Sequence, residues 1–197
     1  MNPTSAEIQA TVKERFAAVA ASPGKEKKFP VGPASAKKLG YDPKEIDTLP
    51  ASVTESFCGV GNPLGLGEVR PGEIVLDLGS GPGMDSLLAA RRVGPTGKVV
   101  GVDLCPQMVE KARRNALLLG LHNVEFVEAG IEKVPLPGGS VDVVISNGVL
   151  NLCPDKPAVL KEAFRVLRPG GRLQMADILL HDDVTPEQVA CLGEWSD

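Results

Sequence analysis

From Gly72 onward the chain alternates between two hydrophobic periods. Ile74-Val75-Leu76-Asp77-Leu78 is a short apolar run of strand length, and Met84, Leu87, Leu88 and Arg91 then fall at helical spacing. The pair repeats with Lys98–Asp103 as a strand and Met108, Ala112, Ala116 and Leu119 as a helical stripe. Val124–Val127 and Val141–Ser146 read as the third and fourth strands. Leu160, Ala163, Phe164 and Leu167 mark a helix expected to end at Pro169-Gly170-Gly171, and Arg172–Asp177 reads as a fifth strand. Thr185-Pro186-Glu187-Gln188 opens a final helix with a capping signature. Strands alternating with helices predict an α/β fold, a parallel sheet with helices on both faces.

The first 70 residues carry a different pattern and form a helical and irregular segment ahead of the 71–197 domain. Thr4-Ser5-Ala6-Glu7 reads as a capping box, followed by Ile8, Val12, Phe16 and Val19 on one helical face. Ser22-Pro23-Gly24 stops that helix, and Lys25–Lys28 reads as a solvated connector. Between residues 29 and 70 the pieces are short and broken by Pro and Gly, with Asp42-Pro43 as a helix start. Glu55–Pro63 fits no regular element, and a long irregular approach to a core is more often functional than structural.

Composition narrows the function classes. The 197 residues suffice for one sizeable core. A net charge of −4 and 4% aromatics argue against nucleic acid as a partner, whether by phosphate contacts or by base stacking. No apolar run reaches membrane-span length, and residues 1–5 lack a signal-peptide layout, so neither membrane nor export is expected and a cytoplasmic location is. Four scattered cysteines without a C-x-x-C pair fit reduced thiols rather than a disulfide scaffold or a zinc site; no metal ligand set is expected. His122 and His181 have no partner spacing and default to the surface.

The most informative segment is Asp77-Leu78-Gly79-Ser80-Gly81-Pro82-Gly83, between the first strand and its helix. Glycines there allow positive φ and close approach of backbone to a ligand. The spacing is G-x-G-x-G, not the nicotinamide G-x-G-x-x-G, and Asp77 is a poor neighbour for a pyrophosphate. A nicotinamide dehydrogenase is therefore disfavoured. Asp77 suits an ammonium, and Asp103-Leu104 at the end of the second strand places an acid where ribose hydroxyls are bound. An ammonium, a ribose and no phosphates describe S-adenosyl-L-methionine. Two readings of Met108 stand, an adenine-packing side chain and a core methionine. Gly130-Ile131-Glu132 follow the third strand toward the adenine edge, and Asn147 follows the fourth at the donor–acceptor junction.

In order along the chain, the glycine motif, Asp103, Ser146-Asn147-Gly148-Val149 and Arg165–Gly171 resemble a class I S-adenosylmethionine-dependent methyltransferase. The resemblance implies a three-layer Rossmann-like sheet of order 3-2-1-4-5-7-6, of which the sequence shows five strands. The last two strands are expected to be missing by C-terminal truncation, leaving Arg172–Asp177 as a bare edge. A narrower resemblance, to the arsenite methyltransferases, rests on Lys38–Tyr41, Gly59-Val60-Gly61-Asn62-Pro63 and Ser146–Lys156. It implies methyl transfer to trivalent arsenic held as a thiol adduct, since arsenic(III) is soft and thiophilic. The chain departs from that family in having no cysteine in residues 1–57 and in carrying Cys58 two positions before the family's thiol position, here Val60. Cys58 reads equally as an acceptor-side thiol and as a buried structural cysteine, and Cys105 and Cys153 as packing residues beside the cofactor site. The alternatives are a methyltransferase for a small organic, quinone-like acceptor and a cofactor-binding fragment without activity of its own. The sequence does not determine the oligomeric state.

Overall fold

The computed structural model describes residues 3–26 and 28–179. Five strands form one parallel sheet in the order β3-β2-β1-β4-β5: β1 Ile74–Leu78, β2 Lys98–Asp103, β3 Val124–Glu128, β4 Val141–Asn147 and β5 Leu167–Ala176. The order of these five is the one the resemblance implies. β1 lies centrally, with Leu76 opposite Val100 on one side and Val144 on the other. Its core residues Val75, Leu76 and Leu78 are fully buried, as a central parallel strand covered on both faces requires.

The two faces carry separate cores because successive strand residues point oppositely. On one face Val75, Val99, Val143 and Ile145 meet α5 (Met84–Val93) and α6 (Pro106–Leu118). The same cluster takes in Tyr41, Ile46, Val53, Phe57 and Leu64, so the segment before β1 shares the core of the sheet. On the other face Leu76, Leu78, Val100, Val102 and Val144 pack on α7 (Lys156–Val166). Leu87 and Leu88 are both completely buried, so truncating either to Ala would cost about 2–5 kcal/mol.

The N-terminal segment contributes α1 (Ser5–Ala21), α2 (Pro33–Lys38), α3 (Pro43–Asp47) and α4 (Ala51–Thr54). The capping box at Thr4 is formed, with Glu7 N–H donating to Thr4 Oγ1 and Thr4 N–H to Glu7 Oε2. Asp42 caps α3 by accepting from Lys44 N–H at 2.9 Å. Val19 packs with Cys105 and Met108, fastening α1 against α6. Lys111 strengthens that joint: its buried ammonium donates to Glu55 Oε1, Ser56 Oγ and Ala20 O at 2.6, 2.8 and 3.3 Å.

One boundary differs from expectation. α7 ends at Val166, three residues before the Pro-Gly-Gly stop, and the fifth strand begins at Leu167 instead of Arg172. Val141 pairs with Leu167 and Val143 with Arg172, so Arg168–Gly171 form a bulge that the ladder steps over. The backbone preceding a proline is biased away from helix, which stops α7 early. Among the described residues β5 pairs with β4 alone, and Leu173 and Ile178 are exposed beside it. The anticipated helix at Thr185, together with His181 and Cys191, lies outside the described residues.

Candidate active site

The C-terminal ends of β1, β2 and β4 open onto a cavity. Ligands bind there in open α/β sheets, where the strand order switches direction. Gly79 and Gly81 form its floor, in the left-handed region at φ +69° and +51°. A Cβ on Gly79 would sit 2.4 Å from Val149 Cγ2, so no side chain fits at that turn. Asp103 lines the cavity from the end of β2, its Oδ2 accepting from Gly81 N–H and its Oδ1 from Cys105 N–H, both at 2.8 Å. Burial raises its pKa, and these backbone donors oppose the rise. The acid thus fixes the glycine loop while retaining acceptor capacity for a ligand hydroxyl.

Leu104, Met108, Ile131, Glu132 and Asn147 line the same cavity, as do Cys58, Cys105 and Cys153. Met108 is 1% exposed, both a core residue and a wall. Three anticipated cofactor residues sit one layer lower. Gly83 packs its Cα against Phe126 and Ala112, and a side chain there would collide with the Phe126 ring at 2.8 Å. Ser80 is buried, with its hydroxyl unpartnered. Asp77 is 2% exposed and accepts from Ser86 Oγ at 2.6 Å. Asp77, expected to meet an ammonium, does not itself line this cavity, and its carboxylate is engaged by Ser86. Burial, and next the charge of Asp85, raise its pKa to about 8.

Sequence reading missed one whole wall. Gln9, Val12, Lys13 and Phe16, one face of α1, close the cavity, and Gln9 Nε2 donates to Glu132 Oε1 at 3.2 Å. Gly148, Val149, Leu152 and Pro154, from the turn after β4, also line it. Asp177 holds that turn by accepting from Leu150 and Asn151 N–H.

Asn147 has no free polar face. Its Oδ1 accepts from Val60 and Gly61 N–H at 2.9 and 3.1 Å. Its Nδ2 lies 2.9 Å from Gly61 O, 3.0 Å from Asp85 Oδ2 and 3.1 Å from Tyr41 Oη, its two hydrogens shared among the three. Tyr41, Gly59–Pro63 and Ser146–Lys156, three stretches far apart in sequence, thus meet on one side chain. Contact is close enough that a Cβ on Gly59 would lie 2.3 Å from Asn147 Nδ2, and one on Gly61 2.6 Å from Ala176 Cβ. The residues 58–62 are pinned flush onto the ends of β4 and β5.

The thiols are unactivated. Burial first, then the charges of Asp103 and Glu26, push Cys58 up to about 12. Burial and Glu132 push Cys153 likewise up to about 12. Cys105, also raised by burial, has its Sγ 3.2 Å from Gln107 Oε1. Among the described residues no group of three or more His, Cys, Asp or Glu is arranged to hold a metal ion, and no helix is long and apolar enough to cross a membrane.

Known proteins are similar to this chain in sequence and fold. An arsenite methyltransferase of Halobacterium salinarum is 45% identical over 146 residues, 74% of this chain and 37% of that protein. A ubiquinone/menaquinone biosynthesis C-methyltransferase of Hahella chejuensis is also 45% identical, over 107 residues, 53% of this chain and 43% of that one. The chain thus spans less than half the length of these curated relatives. The crystal structure of an arsenic(III) S-adenosylmethionine methyltransferase from Chlamydomonas reinhardtii superposes with a TM-score of 0.67 at 35% identity, covering 86% of this chain and 56% of that one. The model of the methyltransferase domain matches residues 70–195, from just before β1 to beyond β5, and the chain belongs to that family.

Proposed function

We propose that this chain carries the S-adenosylmethionine-binding domain of a methyltransferase whose acceptor is trivalent arsenic bound through thiols. The observation that carries the reading is the make-up of one cavity. Its floor is the glycine loop held by Asp103, and all three described cysteines line its walls. The residues fit the cofactor: no side chain fills the cradle at Gly79, and Asp103 stands where ribose hydroxyls need an acceptor. Bound S-adenosylmethionine supplies an electrophilic methyl on a sulfonium, and a soft arsenic lone pair is a suitable nucleophile for it.

The protein's part is placement and exclusion of water. Met108 and Ile131 offer apolar surface for a nucleobase, and α1 closes the cavity over them. Cys58, on the pinned loop, is the candidate acceptor-side thiol. As a neutral thiol at pH 7 it replaces a small thiolate on arsenic by exchange: its sulfur bonds to arsenic and its proton leaves with the departing thiol. Asn147 acts by fixing the loop, since its amide is already engaged. A quinone-type acceptor is the second reading, favoured by the apolar wall of Val149, Leu152 and Pro154 and by the 45% identity to the quinone methyltransferase.

The deciding experiment incubates the full-length protein with methyl-labelled S-adenosylmethionine and either arsenite plus glutathione or demethylmenaquinone. Label in methylarsenicals is expected. Label in the quinone alone moves the protein to the second reading, and label in neither removes both.

A further inference from the structure

Asp85 is a carboxylate in the first turn of α5, 7% exposed, outside the cavity lining and without a role in the chemistry above. A buried carboxylate is costly unless its oxygens are used. Both are: Tyr41 Oη donates to Oδ1 at 2.5 Å and Asn147 Nδ2 to Oδ2 at 3.0 Å. Tyr41 is itself buried, its ring edge-on to Phe57 with centroids 5.5 Å apart. Phe57 directly precedes Cys58, and Asn147 grips the amides of Val60 and Gly61, two and three residues after it. Asp85 therefore holds both ends of the loop that carries Cys58, one through Tyr41 and Phe57, the other through Asn147. Its neighbour Ser86 holds Asp77 at the base of the glycine loop. One helical turn thus anchors the cofactor-side and the acceptor-side loops by separate side chains.

We propose that Asp85 is a positioning residue for methyl transfer, setting residues 58–62 over the cavity through Tyr41 and Asn147 without touching the cofactor. The assignment rests on the reading that this loop faces the acceptor. Its consequence is a separation of effects. Losing the Asp85 anchor frees the loop, while the Asp103–Gly81 contact and the glycine turn stay in place.

The test uses the full chain with Asp85→Asn, and Tyr41→Phe as a second, milder variant that stays apolar. Asparagine offers a single acceptor oxygen, so either Asn147 Nδ2 meets another donor or Tyr41 must turn its hydroxyl round to accept, and the anchor is weakened. Iodoacetamide labelling is followed by peptide mass spectrometry at Cys58, with Cys105 as reference because it lines the same cavity from outside the loop. Cys58 labelling is expected to accelerate about tenfold in Asp85→Asn and less in Tyr41→Phe, because local opening of the loop now suffices to expose it. Cys105 labelling is expected to stay at its original rate, and S-adenosylmethionine affinity within about twofold, because Asp103, and not Asp85, ties down the glycine loop at Gly81. With arsenite and glutathione, KM for the acceptor should rise while KM for the cofactor stays put. Unchanged Cys58 labelling in both variants overturns the proposal. So does equal acceleration at Cys58 and Cys105, which would mark Asp85 as a general structural residue. Absence of arsenite methylation in the unmodified protein counts against the acceptor reading alone, because the labelling experiment needs no acceptor.

Discussion

Ser86 Oγ donates to Asp77 Oδ2 at 2.6 Å beneath the glycine loop. Asp77 is buried beside a second buried acid, Asp85, and its pKa is raised to about 8 against an ordinary value of 3.8. The folded protein therefore keeps a proton that the unfolded chain has lost anywhere between those two values. Stability is fully present below about pH 4 as far as this group is concerned, and is lost as pH rises toward 8. The steepest loss from one such group is about 1.4 kcal/mol per pH unit. Asp77→Asn keeps the shape and removes the titration. Urea midpoints measured from pH 5 to 8 should fall for the unmodified protein and flatten in the variant. Parallel profiles would mean that Asp77 is ionised in the fold.

Asp103 combines two tasks, tying Gly81 and Cys105 N–H and facing the cavity. Asp103→Ala loses both, and S-adenosylmethionine binding should weaken by about 1–3 kcal/mol, the cost of leaving a buried hydrogen-bond partner unsatisfied. Asp103→Asn keeps one acceptor oxygen and should fall between. Titration calorimetry decides the matter, and equal affinity in all three proteins would detach Asp103 from the cofactor.

The sequence exposed this site unevenly, for physical reasons. Strand β1, the glycine turn and Asp103 are legible because a short continuous apolar run, glycines at close spacing and a strand-end acid are local properties. The α1 wall is not. Val12 and Phe16 repeat at helical spacing whether the helix covers a core or a cavity, so periodicity alone cannot tell a cavity wall from packing. Asp85 resembles an ordinary first-turn acid complementing the helix dipole. Its partners Tyr41 and Asn147 lie 44 and 62 residues away. Asn147 was visible as a strand-end polar residue, but its engagement with the backbone of residues 60–61 is a tertiary fact. The fifth strand's early start likewise depends on a bulge that forms only against β4.

The α1 wall makes its own prediction. Phe16 is half-buried at the cavity and stacks on Phe29, with ring centroids 6.2 Å apart. Phe16→Ala removes cavity wall while Val19 still fastens the helix to α6. Cofactor affinity should drop about three- to thirtyfold if the lost wall is worth 0.7–2 kcal/mol, a fraction of a fully buried aromatic. The melting temperature should fall by only a few degrees, as a partly exposed site allows. A large stability loss with unchanged affinity would instead mark Phe16 as a packing residue.

Cys58 supplies the sharpest pH test, because its two readings give different curves. Burial and the neighbouring charges of Asp103 and Glu26 push its thiol up to about 12, while Arg15 opposes them weakly. The thiolate is the reactive species, so the alkylation rate follows the ionised fraction. An ordinary thiol levels off near pH 9, close to its own pKa of about 8.5. For Cys58 the rate should rise about tenfold for each pH unit from 7 to 10 with no plateau, since a group far below its pKa ionises in proportion to hydroxide. At pH 7 the fraction ionised is so small that arsenic capture must proceed by exchange with a bound small thiol, not by a standing thiolate. Cys58→Ser should therefore abolish arsenite retention at every pH while leaving cofactor binding intact. A plateau below pH 9 would show an activated thiolate and a different capture route. Full arsenite methylation by Cys58→Ser would leave Cys58 a structural residue and shift the acceptor contact to the other walls of the cavity.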